Sequence, residues 1–245
     1  MQNIFFSIII PTLNEENYIE NIISSLEKQT YKNFEVIIVD NGSKDRTVEI
    51  IKKIQKKSLL KIILVFCKQR GISYARNYGV KYAKGEYIVF FDADGVVSKN
   101  YLKNANNILI RNRNLKALSG IYVFWPCGNI FKFILYNSHL VIQSICQWLS
   151  KLISGRHVII GNAMVIEKKA LLKEGRLPNV IHEDMFFSLK FFETYKNRTA
   201  SKICRNMIIF YSPRRFEKQG YIKTLINWLK NVKNKTNPKY YKIYR

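Results

Sequence analysis

Along the first hundred residues, short unbroken apolar runs alternate with stretches of helical spacing. "FFSIIIPT" (5–12), "FEVIIVD" (34–40), "KIILVFC" (61–67) and "EYIVFFD" (86–92) are the apolar runs. Continuous rather than alternating hydrophobicity marks strands buried on both faces. Between them, "NEENYIENIISSLEKQ" (14–29) is apolar at positions 18, 19, 22, 23 and 26, which is helical spacing. Residues 45–57, with Asp45 as a candidate N-cap, and residues 72–83 are the second and third helices. Strands alternating with helices predict an α/β fold with a mostly parallel sheet and helices on both faces. Ligands of such sheets bind outside the carboxyl ends of the strands. Thr12, Asp40 and Asp92 each close a strand, so they share that rim.

The second half is less regular. Residues 100–112 have helical spacing, 116–125 are extended, and "HVIIGNAMVIEKKALL" reads as strand then helix. Residues 183–195 form a helix that opens on two acids, which suits its N-terminal dipole, and 203–212 form a last strand. The segment 129–154 is long and apolar but broken by Asn137, Ser138, His139, Gln143, Ser144 and Gln147. It lacks the 18 or so uninterrupted apolar residues of a spanning helix. It is either a core helix or a helix lying against a membrane or lipid acceptor. From Arg214 to Arg245 there are ten Lys or Arg and one acid, Glu217. Within that stretch "YIKTLINWLKNV" puts Tyr221, Ile222, Leu225, Ile226, Leu229 and Val232 on one face, beside Trp228. A basic amphipathic helix with Trp is either a membrane-surface element or a helix packed on the domain. The expected division is therefore a main α/β domain at 1–212, split into halves 1–102 and 103–212, and a basic amphipathic helical tail at 213–245.

Charge sharpens this picture. In a chain of 245 residues, 41 Lys and Arg stand against 17 Asp and Glu, a formal charge of +24. That excess favours an anionic partner: a phosphorylated substrate, an anionic membrane surface or a nucleic acid. Cys67, Cys127, Cys146 and Cys204 show no CxxC and no zinc-ligand spacing, as expected of free thiols in a reducing compartment. "MQNIFFSIIIPTLNEE" is too short an apolar run for a signal peptide and lacks a basic start. The expected location is the cytosol, free or peripheral on the cytoplasmic face of a membrane.

The chemistry centres on "YIVFFDADGVV" (87–97), where a buried strand ends in Asp92 and Asp94. Two close carboxylates repel, and ionising both is costly without a cation. A divalent metal resolves this, and oxygen ligands suit magnesium or manganese, which also bind substrate phosphates. A lone DxD is equally an ordinary acidic turn. Three further stretches bear on it: "SIIIPTLNEE", "VIIVDNGSKDRT" with its Asn41-Gly42-Ser43 turn, and "GISYARNYGVKYAKGEYIVFFDAD".

In that order, these stretches resemble the family 2 glycosyltransferases, which have the nucleotide-sugar-binding, Rossmann-like GT-A fold. The resemblance runs from about Phe6 to Leu102 and returns at "HEDMFF". It implies an inverting hexosyltransferase that takes a sugar from a nucleotide-diphosphate sugar, with uridine the expected base, to an acceptor hydroxyl. Pro11, Thr12, Asn14 and Glu15 would line the nucleotide site. Asp40 would accept a hydrogen bond from the base, with Gly42 and Ser43 in the turn behind it. Asp92, Ala93 and Asp94 would hold the ribose side and the metal, manganese or magnesium, with Asp94 its main ligand and Asp92 beside it. Many members read DxDD; here Gly95 takes the place of the third acid. Arg76 would pair with the pyrophosphate or with the DxD acids, or serve only as a surface charge. Asp184 corresponds to the general base that takes the acceptor proton, and Glu183 would orient it. Gly161 and Asn162 would lie on the acceptor side. Arg214 and Arg215 would meet a phosphate of the donor or of a lipid.

The expected partners are the donor, a glycan or lipid-linked acceptor and an anionic membrane; no nucleic acid is expected. A polyprenyl-phosphate sugar synthase shares the fold and the DxD, but its phosphate acceptor needs no strong base. A nucleotidyltransferase would carry a Gly-rich triphosphate loop, which is absent. A nucleic-acid-binding protein would account for +24, yet no zinc spacing or RNA-binding signature accompanies the charge. Four intact acids at 92, 94, 183 and 184 oppose a degenerate transferase that binds without catalysing.

Overall fold

The computed structural model describes residues 3–138, 141, 145, 163–175, 177–178, 183–195, 200–224 and 226. In chain order, β1 is Phe6–Thr12, α1 Ile19–Glu27, β2 Phe34–Asp40, α2 Thr47–Gln55, β3 Ile62–Phe66 and α3 Ile72–Val80. Next come β4 Tyr87–Phe90, β5 Gly95–Val97, α4 Tyr101–Arg111 and β6 Ala117–Phe124. Helix α5 covers 130–138, and residues 141 and 145 are also helical. The rest are β7 Met164–Glu167, α6 Lys168–Lys173, α7 Glu183–Thr194, β8 Ser201–Tyr211 and α8 Arg214–Gln219.

The described strands form one sheet in the order β3-β2-β1-β4-β7-β6-β8-β5. β1 pairs in parallel with β2 and β4, β2 with β3, and β6 with β8. β7 is antiparallel to both β4 and β6, and β5 is antiparallel to β8. β3, β2, β1 and β4 are thus mutually parallel, as their continuous apolar runs predict. The sheet as a whole is mixed, because β7 and β5 run in the opposite direction.

The pleat explains the burial. On β1, Ile8 and Ile10 face one layer with Ile22, Leu26, Ile51 and Leu102 from α1, α2 and α4. Ile9 faces the other with Ala75, Leu171, Phe187 and Phe191 from α3, α6 and α7. Every residue of β1 and β2 is buried. Each fully buried Ile here contributes roughly 1.5–3 kcal/mol. This core holds the strand ends fixed.

Two boundaries differ from the pattern in the sequence. Helix α1 begins at Ile19 rather than Asn14. Asn14 has φ 56, and the next amides are engaged elsewhere. Asn14 N–H donates to Ser43 Oγ (3.0 Å), Glu15 N–H to Thr47 Oγ1 (2.8 Å) and Glu16 N–H to Asp45 Oδ2 (3.1 Å). Asp45 lies outside α2, and its Oδ1 accepts the Thr47 N–H at 3.0 Å. Strand β5, directly after the DxD, is too short to leave a periodic signal. Of the basic segment, 214–219 is α8 and 221–224 and 226 are helical. The remainder of the amphipathic stretch, Trp228 included, lies outside the described residues. Among the described residues, no helix is long and apolar enough to cross a membrane.

Candidate active site

The rim is built from the loops that leave β1, β2, β3 and β4. Thr12 ends β1 buried, its hydroxyl donating to the Val39 carbonyl at 3.3 Å. Asp40 ends β2, also buried. Its carboxylate accepts the N–H of Gly42 (3.0 Å) and of Ser43 (3.1 Å), so it holds the turn that follows. Gly42 takes φ 90 there, a conformation costly for any side chain. Lys44 N–H in turn donates to Asn14 Oδ1 at 2.8 Å, which ties the first two loops together.

Asn41 does the same for the third loop. Its amide donates to the carbonyls of Cys67 (2.9 Å) and Gln69 (2.8 Å), and its Oδ1 accepts the Gly71 N–H (2.8 Å). In sequence Asn41 reads only as a turn residue. Its positioning role depends on strand pairing, which no local pattern carries.

At the end of β4 the acidic pair meets two arginines. Arg76 is buried on α3, and its Nη2 donates to Asp92 Oδ1 at 2.7 Å. Of the alternatives left open by the sequence, this structure has Arg76 on the DxD acid. Asp92 N–H also approaches Tyr211 Oη at 3.4 Å. Arg214, the first residue of α8, grips Glu15 with both terminal nitrogens, each at 2.8 Å. Its Nε lies 3.2 Å from Asp94 Oδ2, and the guanidinium stacks over Tyr18, 4.5 Å from the ring centroid. Glu15 and Arg214 are 199 positions apart. Neither this contact nor the platform at Tyr18, which reads as an apolar helix position, is legible in sequence.

Burial pushes the Asp94 carboxyl up to about 7 against the pull of Arg214, with Asp92 and Glu15 adding to the rise. Burial alone would lower Arg214; Glu15 and Asp94 instead hold it above the ordinary guanidinium value. The site therefore concentrates negative charge and balances it with fixed cations.

Gly95 now has a physical reason. A Cβ there would stand 2.9 Å from both Ile209 Cδ1 and Tyr211 Cε1, because β5 pairs Gly95 directly with Tyr211. A third acid would crowd both, and one of them would have to shift.

The structure places Pro11, Thr12, Asn14, Glu15, Asp40, Gly42, Ser43, Asp92, Ala93 and Asp94 on the strand ends and loops of the rim, with Arg76 of α3 and Arg214 of α8 reaching its acids. Arg215 is exposed on α8. Glu183 and Asp184 open α7, and their side chains lie outside the described residues. Gly161 and Asn162 lie outside them altogether.

Residues 7–132 match the family Glycosyl transferase family 2. An uncharacterised glycosyltransferase of Haemophilus influenzae is 32% identical over 75% of this chain and 70% of its own length. The poly(ribitol-phosphate) β-N-acetylglucosaminyltransferase TarS of Staphylococcus aureus is 28% identical over 86% of this chain, which spans 36% of TarS. The structure of TarS 1–349 with UDP-GlcNAc superposes with TM-score 0.64 at 21% identity, covering 86% of this chain and 59% of that one. A mannosyltransferase from Pyrobaculum calidifontis, with GDP-Man and Mn2+, gives TM-score 0.69 at 17% identity over 94% of this chain and 65% of that one.

Proposed function

The chain belongs to glycosyl transferase family 2, and on that premise we propose that it moves a sugar from a nucleoside-diphosphate sugar to an acceptor hydroxyl, inverting the anomeric carbon. The observation that carries this reading is the cluster of Asp92, Asp94 and Glu15 with Arg76 and Arg214 at the carboxyl ends of the sheet. A UDP-sugar is the proposed donor, by analogy with the UDP-GlcNAc bound to TarS. The proposed acceptor is a glycan or lipid-linked glycan of anionic character, which suits a chain of charge +24.

The rim fits a divalent cation. Asp92 and Asp94 offer hard oxygen donors, and the burial that raises Asp94 leaves a place where a cation would replace a proton. Among the described residues no three His, Cys, Asp or Glu side chains form a metal cluster. Magnesium or manganese would then take its other oxygens from diphosphate and water, as these ions commonly do. When bound, the metal supplies charge neutralisation for the departing diphosphate.

The chain's own residues do the rest. Arg76 fixes Asp92, so the carboxylate keeps one orientation. Arg214 stands close enough to the pair to exchange part of its carboxylate contact for a phosphate. Arg215 would add a second cation there. Thr12, Asn14, Asp40, Gly42 and Ser43 shape the nucleoside side. Asp184 would take the acceptor hydroxyl proton as its oxygen attacks, with Glu183 orienting it and Gly161 and Asn162 on the acceptor side.

The test is the anomeric configuration and base dependence of transfer. NMR of the product from a UDP-sugar should give the inverted anomer, and Asp184→Asn should lower kcat by at least about a hundredfold. A retained anomer would overturn the inverting reading. Transfer to a polyprenyl phosphate that survives Asp184→Asn would instead identify a polyprenyl-phosphate sugar synthase.

A further inference from the structure

Helix α5 leaves a hydrophobic stripe in solvent. Ile130 is 72% exposed, Phe131 71%, Ile134 and Val141 63% each, and Ile145 52%. At roughly 100° per residue, Ile130, Ile134 and Phe131 fall within about 100° of arc, so they form one face. Isolated exposed apolar residues are ordinary; a contiguous row along one helix is not. Trp125 is exposed just before the helix, and Ile222 and Ile226 are exposed in the helical residues after α8.

The turn of α5 at 136–138 is already committed. Tyr136 is buried and stacks on Phe216 of α8 with 5.0 Å between centroids. Tyr136 also stacks on Tyr221, whose hydroxyl shares a hydrogen bond with Ser138. Asn137 accepts the Phe124 N–H at 2.8 Å. The packed face therefore fixes the helix, and the stripe is not needed for the core.

We propose that this stripe is a docking surface for an anionic lipid bilayer. Charge selects the occupant. Arg215, Lys218 and Lys223 are exposed on and after α8, the elements that pack on α5 through Tyr136, against one exposed acid, Glu217. Exposed apolar residues on one element, cations on the elements packed against it and an exposed Trp just before it match the boundary between headgroups and acyl chains. A second copy of the chain in the same place would set like cations against one another. A nucleic acid would use the cations and leave the apolar row wet. With no described helix able to span, the element lies on the bilayer rather than crossing it.

The surface is one helix away from the candidate site. Arg214, which holds Glu15 and Asp94, opens the same α8 whose Phe216 supports α5. A bilayer held on α5 brings its bound saccharides to the end of the sheet that carries the acids. This use rests on the proposed transfer; the docking itself does not.

The test is flotation of the full chain with vesicles of phosphatidylcholine alone or with phosphatidylglycerol, at two salt concentrations. Wild type should float with the anionic vesicles and far less with the neutral ones. Phe131→Asp with Ile134→Asp, both exposed and outside the core, should cut flotation about tenfold or more, while Lys223→Glu should weaken it and reduce its salt dependence. Calorimetric binding of a soluble UDP-sugar should be unchanged in these variants, which separates a docking failure from a failure of the transferase reading. Flotation that ignores the double substitution, or a stripe-dependent dimer that does not float, would overturn the proposal.

Discussion

A Cβ added at position 95 meets Ile209 and Tyr211 at 2.9 Å, so an acid there would force one of those side chains to shift. Gly95→Asp should destabilise the fold by about 1–3 kcal/mol, as overpacking does. Urea unfolding would read this, and an unchanged midpoint would contradict it. Asp94 carries the opposite lesson, a buried carboxyl whose ionisation costs the fold stability. Its folded-state value near 7 is above the ordinary 3.8. The folded state then holds a proton that the unfolded state has lost, so this contribution is full below about 3.8 and fades as pH rises towards 7. Without metal at pH 8, Asp94→Asn should therefore stabilise the protein by roughly 1–3 kcal/mol, a few degrees in a thermal melt.

At the scale of elements, β2 carries a second buried acid with the reverse behaviour. The Glu35 side chain is fully buried and accepts from the Ser7 hydroxyl (2.8 Å), the Lys84 N–H (2.7 Å) and Lys61 Nζ (3.0 Å). Burial pushes its carboxyl up, but Lys84, Ser7 and Lys61 together outweigh that and hold it below 4.5. A lowered carboxyl stabilises above its unfolded value and loses that contribution as pH falls through the folded one. Between pH 7 and pH 3 the wild type should lose more stability than Glu35→Gln does, as read by denaturant midpoints. The elements differ in how far sequence exposes them. β1 to β4 are legible because strands buried on both faces must be apolar throughout. α1 starts late because Asn14, Glu15 and Glu16 give their amides to the α2 side, a non-local bargain. β5 has three residues, and the direction of β7 is set by pairing with strands distant in sequence.

Across the whole molecule, the same division governs the candidate site. Thr12, Asp40 and Asp92 are readable because each is a polar residue ending an apolar run. The ties of Asn41 to the third loop and of Arg214 to Glu15 exist only once the sheet is assembled. So does the exposed face of α5, whose apolar spacing in sequence fits core and membrane equally. The excess of basic residues gains meaning from this arrangement: fixed cations meet the acids at the rim, and others are exposed on the elements packed against α5. The central claim is that Asp92 and Asp94 form a donor site completed by a divalent cation. Calorimetry of UDP-GlcNAc and other nucleotide sugars, with and without manganese, on wild type and Asp94→Asn tests it most directly. The account predicts metal-dependent binding of a nucleotide sugar to wild type, weakened at least about tenfold in Asp94→Asn, an equilibrium difference of about 1.4 kcal/mol or more. No binding of any nucleotide sugar, or equal binding by the two proteins, would contradict it.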